Sequence, residues 1–262
     1  MAALSPLLFT VLSDLTRGLR EMGVDFCVVG ALVPELLLNT PPPSMTNDAD
    51  VTVAVDSRED FERLKERLGD YGFQKTRLPY RLTHQGGGWV DLLPFSDAIA
   101  PGGRLHLGED FDINMAGFSQ VMRAAIQMPV APGLTLPLAP LPLFVLLKLV
   151  AFSERKAPKD LGGVRHCLGH YGEDDARRYG LHHDATPVPW EYTCAYLIGL
   201  DGRIFLDPPV RAAASSVLDQ FDGPDAQLVD TVARAQGRVL LEDEHRPEIY
   251  ELFRWFRLGL SL

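Results

Sequence analysis

The sequence predicts an α+β protein: a mixed sheet flanked by helices over residues 1–138, then a mostly helical domain over residues 139–262. Three observations carry this. Short apolar runs of strand character recur through the first half, at 25–30, 48–55 and 88–93. Segments of helical periodicity stand among them, at 6–22, 31–39 and 57–71. After residue 140 strand signals nearly vanish, and no internal repeat or low-complexity tract interrupts the chain.

Residues 6–22 place Leu7, Leu8, Val11, Leu12, Leu15 and Leu19 at helical spacing, ending near Gly23. Asp25-Phe26-Cys27-Val28-Val29-Gly30 then reads as a buried strand stopping on glycine, and 31–39 as a short helix. Residues 40–44 form a proline-rich loop, because proline lacks the N–H that regular structure needs. The second strand is 48–55. The helix at 57–71 is capped by Ser57 or Asp56, carries Glu59 and Asp60 in its first turn, and aligns Phe61, Leu64 and Leu68. Residues 73–78, 80–83 and 88–93 are strand candidates, with Gln85-Gly86-Gly87-Gly88 as the turn between the last two. Residues 95–115 are expected as loop or irregular insertion, and 128–138 as one or two strands around Pro132-Gly133. Helices are expected at 141–155, 159–169, 173–180, 190–200, 208–220, 225–236 and 247–258.

The chain has 262 residues, 46% hydrophobic and 23% charged, enough to bury a core as one large domain or two small ones. A net charge of −10 argues against a general affinity for nucleic acid. Cys27, Cys167 and Cys194 are far apart, without zinc or disulfide spacing, which fits a reducing, cytoplasmic setting. The N-terminus lacks the pattern of a signal peptide. The apolar stretch 134–150 is broken by Pro137, Pro140 and Pro142 and closed by Lys148, so no membrane span is expected.

The chemistry-bearing feature is Asp48-Ala49-Asp50 at the mouth of the second strand, with Asp91 in the later run Trp89-Val90-Asp91-Leu92-Leu93. On a strand, side chains two apart share a face, with Cα atoms roughly 6–7 Å apart. Two carboxylates held so close repel unless a positive charge sits between them. A hard divalent cation such as Mg²⁺ takes carboxylate oxygen and is the usual solution. Together with the glycine turn at Gly30 before a helix, three carboxylates suggest a site for a metal–nucleotide complex.

These residues resemble the DNA-polymerase-β-like nucleotidyltransferase superfamily, whose pattern is a strand ending on glycine, a short helix, a strand opening with Asp-x-Asp, and a third carboxylate on a later strand. Here the pieces are Gly30-Ala31, Asp48-Ala49-Asp50 and Asp91. More narrowly, Leu143-Phe144-Val145-Leu146-Leu147-Lys148-Leu149-Val150-Ala151-Phe152, followed by Arg155-Lys156 and Lys159-Asp160-Leu161, resembles the AbiEii/AbiGii-type predicted nucleotidyltransferases, some of which are toxins of toxin–antitoxin pairs. The matches cover roughly residues 24–165. Ala31 stands where the family often has Ser or Gly, and Gly162-Gly163 where many relatives carry a further Asp.

The resemblance implies a nucleotidyltransferase-like sheet domain at 1–138 and transfer of a nucleoside monophosphate from an NTP. Asp48 and Asp50 would hold two Mg²⁺ ions, with Asp91 on the metal nearest the nucleophile. Gly30 and the backbone at Ala31 would meet the β,γ-phosphates, and Lys148, Arg155 or Lys159 would neutralise triphosphate charge. The acceptor is open among an RNA end, a protein and a small molecule, and an antitoxin is a possible protein partner. The alternative is an inactive nucleotidyltransferase-like module that binds a nucleotide or a partner.

Ordinary roles stand beside these. Asp48 is also a turn residue, Lys148 a snorkelling side chain, and Asp160 a partner for Lys156 across one helical turn. Arg155, Lys156, Lys159, Arg165, Arg177 and Arg178 are candidates for a local basic strip that binds RNA. His182-His183-Asp184 is expected in a solvated loop, and His166 and His170 lack companions at metal-ligand spacing.

Overall fold

The computed structural model describes residues 4–42, 46–108, 111–184, 187–235 and 242–262, the side chains of 242–244 excepted. The chain divides into two compact units: Met1–Leu37 with Pro43–Pro140, and Leu38–Pro42 with Leu141–Leu262. The fold is α+β, and every strand among the described residues precedes residue 139.

In the first unit, α1 (Pro6–Glu21) starts where the Ser5 hydroxyl accepts a bond from Leu8 N at 3.2 Å, and buries Leu8, Val11, Leu12, Leu15 and Leu19. β1 (Phe26–Val28), α2 (Leu32–Leu37) and β2 (Asp48–Ala54) follow. Of the expected proline loop, Pro43 and Ser44 lie outside the described residues. α3 (Arg58–Arg67) is capped by Ser57, whose hydroxyl accepts from Asp60 N at 3.0 Å, and Leu68–Tyr71 continues it as a 3-10 turn. β3 (Phe73–Lys75), β4 (Arg81–His84) and β5 (Trp89–Phe95) complete this part of the sheet.

The segment 95–115, expected as irregular, contains an antiparallel pair of strands, β6 (Arg104–Gly108) and β7 (Phe111–Asn114). Leu105 and Leu107 are buried while their neighbours are not, the alternation of a half-buried strand. The preceding Pro101-Gly102-Gly103 obscured it in sequence. α4 (Phe118–Ala124) was also unanticipated; it starts on Gly117 with no side-chain cap. β8 (Ile126–Ala131) and β9 (Leu134–Leu138) end the unit.

The strand order is β3-β4-β5-β2-β1-β9-β8. β2 pairs with β5 in parallel and with β1 antiparallel; β4 pairs antiparallel with β5. Ala49, Val51 and Val53 of β2 and Val90 and Leu92 of β5 are fully buried. Period-2 alternation therefore turns Asp48, Asp50 and Asp91 to the other face.

The second unit comprises α5 (Leu141–Arg155), α6 (Pro158–His170), α7 (Arg177–His182), α8 (Thr193–Gly202), α9 (Pro208–Leu218), α10 (Gln227–Arg234) and α11 (Glu242–Leu260). The helix expected at 173–180 begins later, at Arg177. Gly172 turns the chain at φ +59, and the Asp175 carboxylate accepts from Arg177 N at 2.8 Å, as a turn residue does. The helix expected at 247–258 starts earlier, at Glu242, so Pro247 lies inside it rather than in its first turn. Of the helix expected at 225–236, Gln236 lies outside the described residues. α8 and α11 approach closely through glycine: a Cβ on Gly199 would stand 2.4 Å from Phe256 O.

Candidate active site

The first unit's sheet brings four of the expected residues together. Asp48 and Asp50 share one face of β2, and Asp50 is the register partner of Asp91 on the parallel neighbour β5. Adjacent strands run about 4.8 Å apart, so Asp91 stands as near to Asp50 as one strand spacing permits. Asp48 and Asp50 are half-buried, while Asp91 is 9% exposed. Gly30 follows the end of β1, at φ +54. A Cβ there would lie 1.8 Å from Asp50 Oδ2, so the Asp50 carboxylate rests in space that only glycine leaves open. Ala31, beside it, is exposed.

A positive charge does sit among these carboxylates, and it is Arg81. Its Nε and Nη2 donate to Asp91 Oδ1 and Oδ2 at 2.6 and 2.7 Å, a bidentate clamp. Arg81 is the register partner of Asp91 in the β4–β5 pairing. The Asp91 carboxylate, against the cost of desolvation, holds the Arg81 pKa above its ordinary value, and Asp48 adds to this. Its guanidinium also lies 5.4 Å from the centre of the Trp89 ring.

Sequence reasoning missed Arg81, although the signal was present. A hairpin centred on Gly86 sets Arg81 and Asp91, each five residues from it, opposite each other. It also missed Glu35 of α2, which is 2% exposed and accepts from Thr46 N at 3.2 Å through Oε2. The Thr46 hydroxyl in turn bonds the Asp48 carboxylate. Glu35 therefore anchors the backbone that delivers Asp48 to its face of β2.

The expected triphosphate cations belong to the second unit. Lys148 Nζ lies 3.1 Å from Asp160 Oδ1, and Arg155 Nε donates to Asp160 Oδ2 at 2.7 Å. Asp160 is fully buried, and it pairs with these two rather than with Lys156. Burial alone would raise its pKa, but the bonds and charges of Arg155 and Lys148 outweigh that and hold it below the ordinary carboxylate value. Lys159 is exposed.

The expected basic strip is largely consumed by the unit's own groups. Arg177 pairs with Asp175 and Asp201, and Arg165 with Glu248. Arg178 is buried, donating to Thr193 Oγ1 at 2.8 Å and Glu173 O at 2.6 Å over the Trp190 ring. The rings of His166 and His170 stand 4.5 Å apart on α6, but each has its own contact, to Thr40 O and to Glu173. His182 ends α7 rather than lying in a loop, and its Nδ1 is 3.1 Å from Val188 O.

The donor chemistry of Asp48 and Asp50 suits a hard divalent cation: carboxylate oxygen only, two groups on one face, reachable by solvent. Both oxygens of Asp91 are engaged by Arg81. Among the described residues, no group of three or more His, Cys, Asp or Glu side chains is arranged to hold a metal ion. None of the described helices is long and apolar enough to cross a membrane.

No family model matches the chain, and no curated protein matches it. Among solved structures it is similar to the crystal structure of an antigenic nucleotidyltransferase-like protein from Paracoccidioides brasiliensis. That match has 20% identity and a TM-score of 0.43, and covers 62% of this chain and 75% of the other. At that level it assigns no role to any residue here.

Proposed function

We propose that this protein is a cytoplasmic, metal-dependent nucleotidyltransferase. The observation that carries the reading is the placement of Asp48 and Asp50 on one face of β2, with Asp91 in register beside Asp50. Asp48 and Asp50 would hold Mg²⁺ with the NTP, and Asp91 is the carboxylate a second ion would use. Bound Mg²⁺ neutralises triphosphate charge and lowers the pKa of an acceptor hydroxyl. Gly30 leaves room for the Asp50 carboxylate. In the reaction an acceptor oxygen bonds to the α-phosphorus and loses its proton to water. The bond from the α-phosphorus to the bridging oxygen breaks, and pyrophosphate leaves with the electron pair. The acceptor is an RNA end, a protein or a small molecule. A role as the toxin of a toxin–antitoxin pair follows from the AbiEii-type resemblance at residues 143–161.

One observation favours a second reading, a nucleotide- or partner-binding module without turnover: Arg81 already satisfies Asp91. A transfer assay separates the two. Protein and an Asp48→Asn/Asp50→Asn variant are incubated with Mg²⁺, each α-labelled NTP, total RNA and cell lysate. Label on an acceptor only with intact carboxylates supports the enzyme. Mg²⁺–NTP binding by calorimetry, with no labelled product from any acceptor, supports the module.

A further inference from the structure

We propose that Arg81 is an internal counter-ion that occupies Asp91 and limits the carboxylate face to one divalent cation until it is displaced. This deepens the metal-dependent reading above and rests on it. The face carries three carboxylates, Asp48, Asp50 and Asp91, and the Arg81 guanidinium clamps both oxygens of the third. One divalent cation added to that set makes three positive charges against three negative ones. A second cation would leave the face with excess positive charge and would compete with the guanidinium for the Asp91 oxygens. Adding nucleotide changes the balance, because a triphosphate supplies the negative charge that a second ion and a released guanidinium both need.

Arg81 is placed to be released. Its side chain is 29% exposed, so water can solvate the guanidinium when it leaves, unlike a fully buried pair. Arg81 stands on β4, next to the strand that carries Asp91, so the exchange is a side-chain movement that leaves the hairpin register intact. The Trp89 ring at 5.4 Å gives the cation an apolar neighbour in its present position. Arg81 touches Asp91 and is a positioning residue here, acting on cation loading through that carboxylate.

The test is a Mn²⁺ titration without nucleotide, read by electron paramagnetic resonance, on the full chain and on Arg81→Gln, Arg81→Lys and Arg81→Gln/Asp91→Asn. The expected result is one bound ion for the unmodified chain. Arg81→Gln binds a second ion, or binds the first at least about tenfold tighter, from removal of a neighbouring unit charge. Arg81→Lys stays close to the unmodified chain, and Asp91→Asn in the Gln background removes the gain. That last step separates unmasking of Asp91 from a general structural change. Arg81→Gln with unchanged stoichiometry and affinity, and an unchanged circular dichroism spectrum, overturns the inference while leaving the cation site at Asp48 and Asp50 standing. No Mn²⁺ binding by either protein overturns the metal reading itself, and this inference with it.

Discussion

The Asp50 carboxylate occupies the space where a side chain on Gly30 would begin, with the Cβ position 1.8 Å from Oδ2. Gly30 also sits at φ +54, where an L side chain is strained. Both facts predict that Gly30→Ala costs about 1–3 kcal/mol from the backbone alone and displaces Asp50. Urea denaturation is expected to show the loss of stability, and calorimetry the loss of Mg²⁺ binding. A variant with the unfolding midpoint and cation affinity of the unmodified chain would contradict the placement.

Asp160 predicts a pH dependence. Its folded-state pKa is lowered, with the burial cost outweighed by Arg155 and Lys148. Such a group stabilises the fold above the ordinary carboxylate value of about 3.9, and the contribution disappears as pH falls through the lower folded value. Asp160→Asn is expected to cost about 3 kcal/mol at pH 7, because it leaves Lys148 and Arg155 facing a neutral group. The difference from the unmodified chain should shrink below about pH 4. Urea melts at pH 7 and pH 3 measure it; equal losses at both would remove the ion-pair explanation.

Two helical glycines, Gly199 at the α8–α11 contact and Gly169 on α6, are predicted to respond differently to alanine. At Gly199 a Cβ would meet the Phe256 carbonyl oxygen at 2.4 Å, so Gly199→Ala must separate two helices and should cost about 1–3 kcal/mol. At Gly169, within α6, a Cβ meets nothing within 4 Å. Gly169→Ala should therefore be neutral or gain up to about 1 kcal/mol from helix propensity. Thermal melts of the two variants read both responses at once.

The three cysteines are all buried and free. Burial pushes the Cys27 thiol up to about 12, and raises Cys167 and Cys194 too. Little thiolate forms at neutral pH, so a thiol reagent should label none of the three in the native protein and all three in denaturant. Rapid native labelling of any one would show that its surroundings open.

The strand bearing Asp48 and Asp50 was legible because the two carboxylates open a short apolar run, with Ala49, Val51 and Val53 buried in the structure. The register that puts Asp50 beside Asp91 was not, because parallel pairing joins strands 41 residues apart, and nothing local fixes it. Arg81 was readable in principle from the turn centred on Gly86, which sets it opposite Asp91, but a lone arginine on a short strand carries no local signal of a carboxylate partner. The helix holding Lys148 was plain from its apolar run. Its partner was not, because Asp160 lies on α6 and reaches Lys148 only once α5 and α6 pack. The pairing of β6 with β7 shows the opposite difficulty: the local pattern was present but too short to stand out beside Pro101-Gly102-Gly103.

The proposed transfer of a nucleoside monophosphate at the Asp48/Asp50 face has a chemical signature, its leaving group. The most direct measurement is release of pyrophosphate from each NTP in the presence of lysate acceptors, for the unmodified chain and for Asp50→Asn. The account predicts Mg²⁺-dependent pyrophosphate from at least one NTP, abolished by chelator and reduced by about 100-fold or more in the variant. Equal rates in both proteins, or release of inorganic phosphate with no pyrophosphate, would contradict it.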